Sequence, residues 1–155
     1  MIAVLQRVNY ARVSVAGEVV GQCGNGFLIT VGVLDGDTEH DADLLCAKIS
    51  KIRVFTDEND KLNLSLVDVG GSALVISNFT LCGNYRHGNR PDYGPAAKPD
   101  EARRLYEYFS DTLRKLINGS VENGRFGEHM VIETSLRGPV TISMDSRVLA
   151  APREK

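Results

Sequence analysis

The sequence predicts an α+β fold, a mainly antiparallel sheet with helices packed on one side of it. Three observations point there. Residues 27–33 and 73–76 are almost continuously apolar, as strands covered on both faces are. Residues 42–52 and 102–117 instead repeat their apolar side chains every three or four positions, the spacing of a helix with one buried stripe. Strands come first, then a helix, strands, a helix and strands again, an order that suggests antiparallel sheet.

Each element has its own signal. Val4, Val8, Val13 and Val15 lie in short β-prone runs, and Ala16-Gly17 offers a tight turn before Glu18-Val19-Val20. Gly24-Asn25-Gly26 reads as a second turn, since Gly and Asn tolerate positive φ, so the first third predicts a β-meander. Asp35-Gly36-Asp37 breaks the chain, and Thr38 with Asp41 resembles a capping box in which Asp replaces Glu. Ala42, Leu45, Ile49 and Ile52 follow as a helical stripe. Val54-Phe55 begins a strand, residues 57–60 turn it, and Leu62, Leu64 and Leu66 alternate beyond. Gly70-Gly71 turns again into the run 73–76. Residues 82–99 form one long irregular segment, and a loop of that length in a compact domain is usually functional or mobile. A second helix follows, with Asp100 as its cap and Ala102, Leu105, Tyr106, Phe109, Leu113, Leu116 and Ile117 on its period. Met130, Ile132 and Thr134 alternate in a strand, Arg137-Gly138-Pro139 interrupts it, and residues 140–144 resume it. The expected organisation is one domain, 1–146, and a loose polar tail, 147–155.

The 155 residues suffice for one domain with a core that needs neither disulfides nor metal. Eighteen Lys and Arg against 20 Asp and Glu leave a formal charge of −2. That balance removes the bulk-charge argument for gripping long nucleic acid, though not for reading the end of an RNA. No window approaches the roughly 18 apolar residues of a membrane-spanning helix. Gln6, Arg7 and Asn9 interrupt the first hydrophobic run, so a signal peptide is not expected. Cys23, Cys46 and Cys82 form no C-x-x-C pair, and three is odd, which suits reduced thiols used as small apolar residues. The expectation is a soluble cytoplasmic protein without membrane contact.

Most catalytic signatures are absent: no P-loop, no nucleophile elbow, no H-E-x-x-H. His40, His87 and His129 are too scattered to predict a metal site. Cys82 follows a strand, but nothing near it in sequence lowers its pKa, and a buried inert thiol is favoured. Two segments stand out. Ser77-Asn78-Phe79-Thr80-Leu81 places polar residues at the end of a buried strand, where they either satisfy local backbone groups or deliver donors to a pocket. Gly138-Pro139 lies between strand-like runs, as a turn, an edge bulge or a cis bond; about 5–6% of X-Pro bonds in folded proteins are cis.

In order, Ser77-Asn78-Phe79-Thr80-Leu81, Gly88-Asn89-Arg90-Pro91 and Gly138-Pro139-Val140-Thr141 resemble the D-aminoacyl-tRNA deacylase family, also called D-tyrosyl-tRNA deacylases. Met1-Ile2-Ala3, Gln6-Arg7-Val8, Arg53-Val54-Phe55, Leu62-Asn63-Leu64-Ser65, Gly70 to Val75 and Gly124-Arg125-Phe126 add to the likeness, which runs from about Met1 to Asp145. The resemblance implies a homodimer of β-barrel-like sheets with packed helices. It implies a proofreading hydrolase that cleaves the ester between a D-amino acid and the 3′-terminal adenosine of tRNA, without cofactor or metal. The family's Ser-Gln-Phe-Thr motif falls on Ser77, Asn78, Phe79 and Thr80. Its Gly-cisPro motif, inserted into the partner subunit's site as the chiral filter, falls on Gly138 and Pro139, with Val140 and Thr141 beside it.

A mechanism follows as an expectation. Backbone N–H groups near Phe79 and Thr80 stabilise the oxyanion while water attacks, aided by the ribose 2′-hydroxyl; Thr80 as nucleophile is the alternative. The Gly-Pro unit excludes L side chains and would pass achiral glycine. Arg7 matches a family arginine that orients this unit, or else is a solvated strand residue. The chain departs from the family at Asn78, where Gln is usual, and at Leu136-Arg137, where Asn-Asp is usual. Arg86, Arg90, Lys98 and Arg137 are candidates for acceptor-stem phosphates. The rival readings are a tRNA-end-binding module with little or no hydrolysis and a small-molecule hydrolase using Cys82 or Thr80 covalently.

Overall fold

A strand of 14 residues organises the molecule, β1 (Ile2–Val15). The chain is described by a computed structural model over residues 1–152. The remaining strands are β2 (Glu18–Cys23), β3 (Gly26–Gly32), β4 (Phe55–Thr56), β5 (Leu62–Leu64), β6 (Ser72–Ser77), β7 (Val121–Asn123) and β8 (Val131–Asp145). The helices are α1 (Glu39–Lys51), α2 (Pro99–Leu116) and α3 (Ser146–Ala150), with a 3₁₀ turn at Phe79–Cys82.

The predicted meander does not form. β2 pairs antiparallel with the second half of β1, and β3 with the first half, Ile2 facing Gly32. Ala16 and Gly17, both at positive φ, make the true reversal. Gly24-Asn25 only bends the chain between two segments that run in the same direction along β1. β8 pairs with β1 along nearly all its length. On the far edge of β3 the sheet continues in parallel through β6 to β7. It then curls back on itself, with the Gln22 N–H of β2 donating to the Glu122 carboxylate of β7 at 2.7 Å. The result is a mixed, mainly antiparallel, nearly closed barrel-like sheet with helices packed on it, the α+β class the sequence predicts. The short strand β7 has no place in the sequence reading.

Two clusters use the two faces of the central strands. Phe27 and Ile29 of β3 and Val75 of β6 join Leu45, Ile49, Leu105 and Phe109 beneath the helices. Leu28 and Leu74 turn the other way and pack with Val8, Val13 and Ile76. That two-sided burial is why these strands read as continuous apolar runs.

The helices begin and end for local reasons. α1 starts at the capping box: the Asp41 carboxylate accepts the Thr38 N–H at 2.8 Å. Asp100 is not the cap of α2. Lys98 holds that place, and Pro99 is the first helical residue, where its missing N–H and fixed φ cost nothing. The tail predicted as loose from Arg147 is helical over residues 147–150: Asp145 accepts the Arg147 N–H at 2.9 Å and starts α3, whose Leu149 packs against the main core. Residues 153–155 of that tail lie outside the described residues.

Asp41 also accepts the Ser146 hydroxyl at 2.7 Å, joining α1 to α3. Burial pushes its pKa up, but the bonds from Ser146 and Thr38 outweigh this and hold the carboxyl below its usual value. A depressed folded pKa stabilises the fold above the unfolded value of about 3.9 and is lost as pH falls through the folded one. Asp41→Ala is therefore expected to lower Tm by about 3 °C at pH 7, the cost of roughly 1 kcal/mol for a cap in a domain of this size. In thermal melts at pH 2.5 the difference from wild type shrinks.

Candidate active site

A cavity of about 640 Å³ opens beside the C-terminal ends of β3 and β6. Thr30, Val31 and Val33 line it from the β3 side, Ile76, Ser77, Asn78 and Phe79 from the end of β6. Ala97, Ala102 and Tyr106 close it from the α2 side, and Phe126, His129 and Met130 from the segment before β8. Ser77, Asn78 and Phe79 thus sit at the cavity, with Thr80 the next residue of the same turn.

The turn is held close against β3. The Asn78 N–H donates to the Val31 carbonyl at 2.8 Å, continuing the β6 pairing by one residue. Gly32 permits the approach, since a Cβ there would stand 2.9 Å from Leu81 Cβ and 3.0 Å from the Asn78 carbonyl oxygen. Asn78 caps the turn: its Oδ1 accepts the Thr80 N–H at 3.2 Å and the Thr80 hydroxyl at 2.5 Å. Phe79 projects its exposed ring edge-on to Tyr93, centroids 5.0 Å apart.

Cys82 ends the turn, buried, its thiol donating to the Val33 carbonyl at 3.4 Å. Burial and then the charge of Asp37 push its pKa up, the opposite of what a nucleophile needs. Cys23 and Cys46 are likewise buried free thiols, so all three serve as small apolar residues. Tyr106 on the α2 wall donates its hydroxyl to the Val75 carbonyl at 2.7 Å and accepts from the Asn123 amide at 2.9 Å.

Gly138-Pro139 lies elsewhere. β8 continues through it, but the register steps from Gln6 opposite Thr141 to Val8 opposite Leu136. Residues 137–140 therefore bulge opposite the single residue Arg7. The Gly138-Pro139 bond is cis, both residues are exposed, and neither lines the cavity. Arg7 is 7% exposed. Its Nε donates to the Arg137 carbonyl at 3.0 Å, its Nη1 to the Val54 carbonyl at 2.8 Å and to the Thr56 hydroxyl at 3.4 Å. Burial, then the neighbouring Arg137 charge, lower its pKa. Val140 is half-buried against the core, and Thr141 is an exposed ladder residue.

Arg86, Arg90 and Lys98 are exposed on the irregular segment that borders the cavity, whereas Arg137 belongs to the β8 bulge. The structure thus separates the four basic candidates into two groups. Sequence reasoning placed Tyr106 only on a core stripe and assigned no site role to Ala97, Phe126 or His129. Gly124-Arg125-Phe126 was the available signal, since it matched the family pattern. No group of three or more His, Cys, Asp or Glu among the described residues could hold a metal ion, and none of the described helices is long and apolar enough to cross a membrane.

The family model described as D-Tyr-tRNA(Tyr) deacylase matches residues 4–145. The D-aminoacyl-tRNA deacylase of Bacillus licheniformis is 50% identical over 147 residues, 95% of this chain and 99% of that protein. That of Ruegeria pomeroyi is 50% identical over 145 residues, 94% of this chain and 99% of the relative. A solved structure described as c-Myc DNA Unwinding Element Binding Protein superimposes with a TM-score of 0.88 at 35% identity, covering 94% of this chain and 98% of that one. A probable eukaryotic D-amino acid tRNA deacylase shares the fold, with a TM-score of 0.81 at 18% identity over 93% of this chain and 98% of that one.

Proposed function

The chain belongs to the D-Tyr-tRNA(Tyr) deacylase family, and from that membership we propose a division of its site between two subunits. It is a hydrolase of the aminoacyl-tRNA ester bond. In the proposed arrangement the 640 Å³ cavity takes the 3′-terminal adenosine and the turn at residues 78–80 addresses the ester. The Gly138-Pro139 unit of the second subunit then closes the site as the chiral filter.

One observation carries this reading: the turn at residues 78–80 borders a cavity that the exposed Gly138-Pro139 bulge of the same chain does not line. Two elements of one site that lie apart in a chain can meet across a two-fold axis. The sheet offers a surface for such a dimer, since among the described residues β8 pairs with β1 alone and leaves Val131, Ile132 and Leu136 exposed, with Tyr10 beside them.

The chemistry asked of the turn is modest. A backbone N–H there polarises the ester carbonyl and holds the oxyanion as water adds to the carbonyl carbon. The acyl carbon–O3′ bond breaks, and O3′ leaves with a proton, giving free D-amino acid and uncharged tRNA. Among the described residues the side-chain partner of the Thr80 hydroxyl is a carboxamide and not a base, which favours water over Thr80 as the nucleophile. Filtering by a backbone unit discriminates through the side chain an L-isomer would direct at it, whatever its identity, and glycine has none. Exposed Arg86, Arg90 and Lys98 lie on the segment whose Ala96 and Ala97 line the cavity, and in this reading they meet phosphates of the acceptor end. A cytoplasmic location, where charged tRNA is used, is part of this reading.

The test is deacylation of D-tyrosyl-, glycyl- and L-tyrosyl-tRNA side by side. The expected order is D first, glycine next, and the L ester at least about a thousandfold slower than D, beyond the roughly 10–200-fold that one methylene-sized difference in fit supplies. Equal cleavage of the D and L esters would remove the filter; tRNA binding without turnover would favour the binding-module reading instead.

A further inference from the structure

Residues 83–95 leave the cavity and return to it. The loop starts where the 3₁₀ turn ends at Cys82 and comes back at Ala96 and Ala97, which line the cavity. The returning stem is tied down there: the Asp35 N–H donates to the Pro95 carbonyl and the Ala97 N–H to the Val33 carbonyl, each at 2.9 Å. Tyr93 seals the near end. Its ring is T-shaped against Phe79 and covers Gly83, where a Cβ would stand 2.9 Å from the ring.

The tip of the loop is built to hold a shape. The Asn84 N–H donates to the Asp92 carbonyl at 2.7 Å, and the Asp92 N–H to the Asn84 carbonyl at 2.8 Å. Both side chains bond back to the loop: Asn84 Oδ1 accepts the Arg86 N–H at 3.1 Å, and Asp92 Oδ1 the Gly94 N–H at 2.9 Å. Gly88, at φ +67, lets the chain reverse between them. Tyr85 therefore has an anchored residue on either side. Its ring is nevertheless 83% exposed, more than any other large apolar side chain of the described residues, and it joins neither core cluster.

The charge around this ring has one sign. Arg86, His87 and Arg90 share the tip, all exposed, and Lys98 lies beyond the returning stem. Asp92 is the single acid from residue 83 to residue 98, and it is bonded to the loop's own backbone. In a chain of formal charge −2 this is a local cationic excess about a bare aromatic face. Such a pairing is the chemistry of single-stranded RNA binding: cations follow the phosphates, and a base stacks on the ring.

We propose that Tyr85 is the stacking surface for an unpaired base of the tRNA acceptor end, one of the nucleotides that precede the terminal adenosine. The inference rests on the deacylase reading and extends it outward from the cavity. With the adenosine seated, the strand that leads to it leaves past the rim, and the loop anchored on that rim carries the ring. Stacking selects no sequence, because every base has a π face. The contact holds the tail in line without choosing one tRNA over another.

Binding and turnover test this separately. The binding probe is a hairpin RNA ending in the unpaired 3′ tail of an acceptor stem, beside the same hairpin cut to a blunt end. Tyr85→Ala is expected to raise Kd for the tailed hairpin about tenfold, within the roughly 5–150-fold that loss of one base–aromatic stack produces. Its Kd for the blunt hairpin stays within about twofold of wild type. Tyr85→Phe, which keeps the ring, binds both hairpins as wild type does. The slope of log Kd against log salt is the same in Tyr85→Ala as in wild type, because no phosphate contact is lost. On D-tyrosyl-tRNA, Tyr85→Ala raises KM about tenfold with kcat within about twofold. On D-tyrosyl-adenosine, which has no preceding nucleotide, the difference from wild type vanishes. Wild-type affinity of Tyr85→Ala for the tailed hairpin, an equal loss on the blunt one, a flattened salt slope, or a Tyr85→Phe as weak as Tyr85→Ala would each overturn the inference. A wild-type protein that binds the tailed hairpin through Tyr85 but cleaves no D-ester would overturn the deacylase reading and leave the stacking contact standing.

Discussion

Gly138→Ala is expected to reduce kcat/KM on D-tyrosyl-tRNA about a hundredfold while the protein stays folded, because a displacement near 1 Å at a positioned site costs that much. Gly138 sits at φ +136, a region that L side chains rarely adopt. A Cβ there would stand 2.7 Å from the Val140 backbone nitrogen, 3.0 Å from Val140 Cγ2 and 3.2 Å from Arg7 Nη2. The shortest contact is to backbone, so no rotamer change relieves it. Arg7 cannot yield easily either, since its guanidinium is anchored on the Val54 and Arg137 carbonyls. The chain at residues 138–140 must move, and it carries Pro139 with it. The bulge is exposed and β8 stays paired with β1 on both sides of it, so the cost to folding is about 1–3 kcal/mol, the range for one strained residue. Rates on D- and L-tyrosyl-tRNA, taken with a melting curve, separate the two effects. A narrowed D-to-L ratio, with Tm lower by roughly 2–12 °C and the protein still folded at the assay temperature, is the expected pattern. Near-wild-type rates would remove Gly138 from the site.

Much of the fold was legible because burial leaves a signature in residue spacing. The stripe of α2 at Leu105, Tyr106, Phe109 and Leu113 faces the main core, and the runs 27–33 and 73–76 fall on the two strands covered on both faces. Pairing was less legible. The sequence around Gly24-Asn25 marks a place where the chain can turn, but a bend and a reversal use the same residues. The choice was made by β1, whose length lets β2 and β3 share one edge in line. β7 was missed because three residues with one buried side chain, Val121, carry no periodicity. Pro99 masked the start of α2, since a proline beside an aspartate serves equally as loop or as first turn.

The candidate site was legible only in part, and for a physical reason. Polar residues at a strand end, Ser77 to Thr80, are readable as donors delivered by a rigid scaffold. A cavity wall is not, because Ala97, Tyr106 and Phe126 look the same in sequence whether they fill a core or border a space. Arg7 shows the same limit from the other side. In sequence its charge suggested solvent, although it stands two residues after buried Leu5 on the same face of the strand; only the Arg137 carbonyl of the β8 bulge and the Val54 carbonyl, both brought to it by the fold, make its burial tolerable. Resemblance to the family supplied what spacing could not, the proposal that residues 78–80 and 138–139 belong to one site.

If they do so across a dimer, two inactive variants should restore each other. Phe79→Pro removes the backbone N–H of the turn at a position where proline's fixed φ is accepted, and so disables the cavity side. Gly138→Ala disables the filter side. Each is expected to be nearly inactive alone as a homodimer, for every site then holds one defective half. Unfolding and refolding the two together makes about half of the dimers mixed, and each mixed dimer has one site with both defects and one with neither. Activity should therefore return to about a quarter of wild type, the share set by random pairing about a two-fold axis. The comparison is sharp because a site contained within one chain predicts no recovery at any mixing ratio, and a monomer predicts the same. Recovery that rises and falls with the mixing ratio, peaking at equal amounts, would place the exposed β8 bulge of one subunit at the cavity of the other. A mixture as inactive as its components would return Gly138-Pro139 to its own chain, and the cross-subunit site would have to be given up.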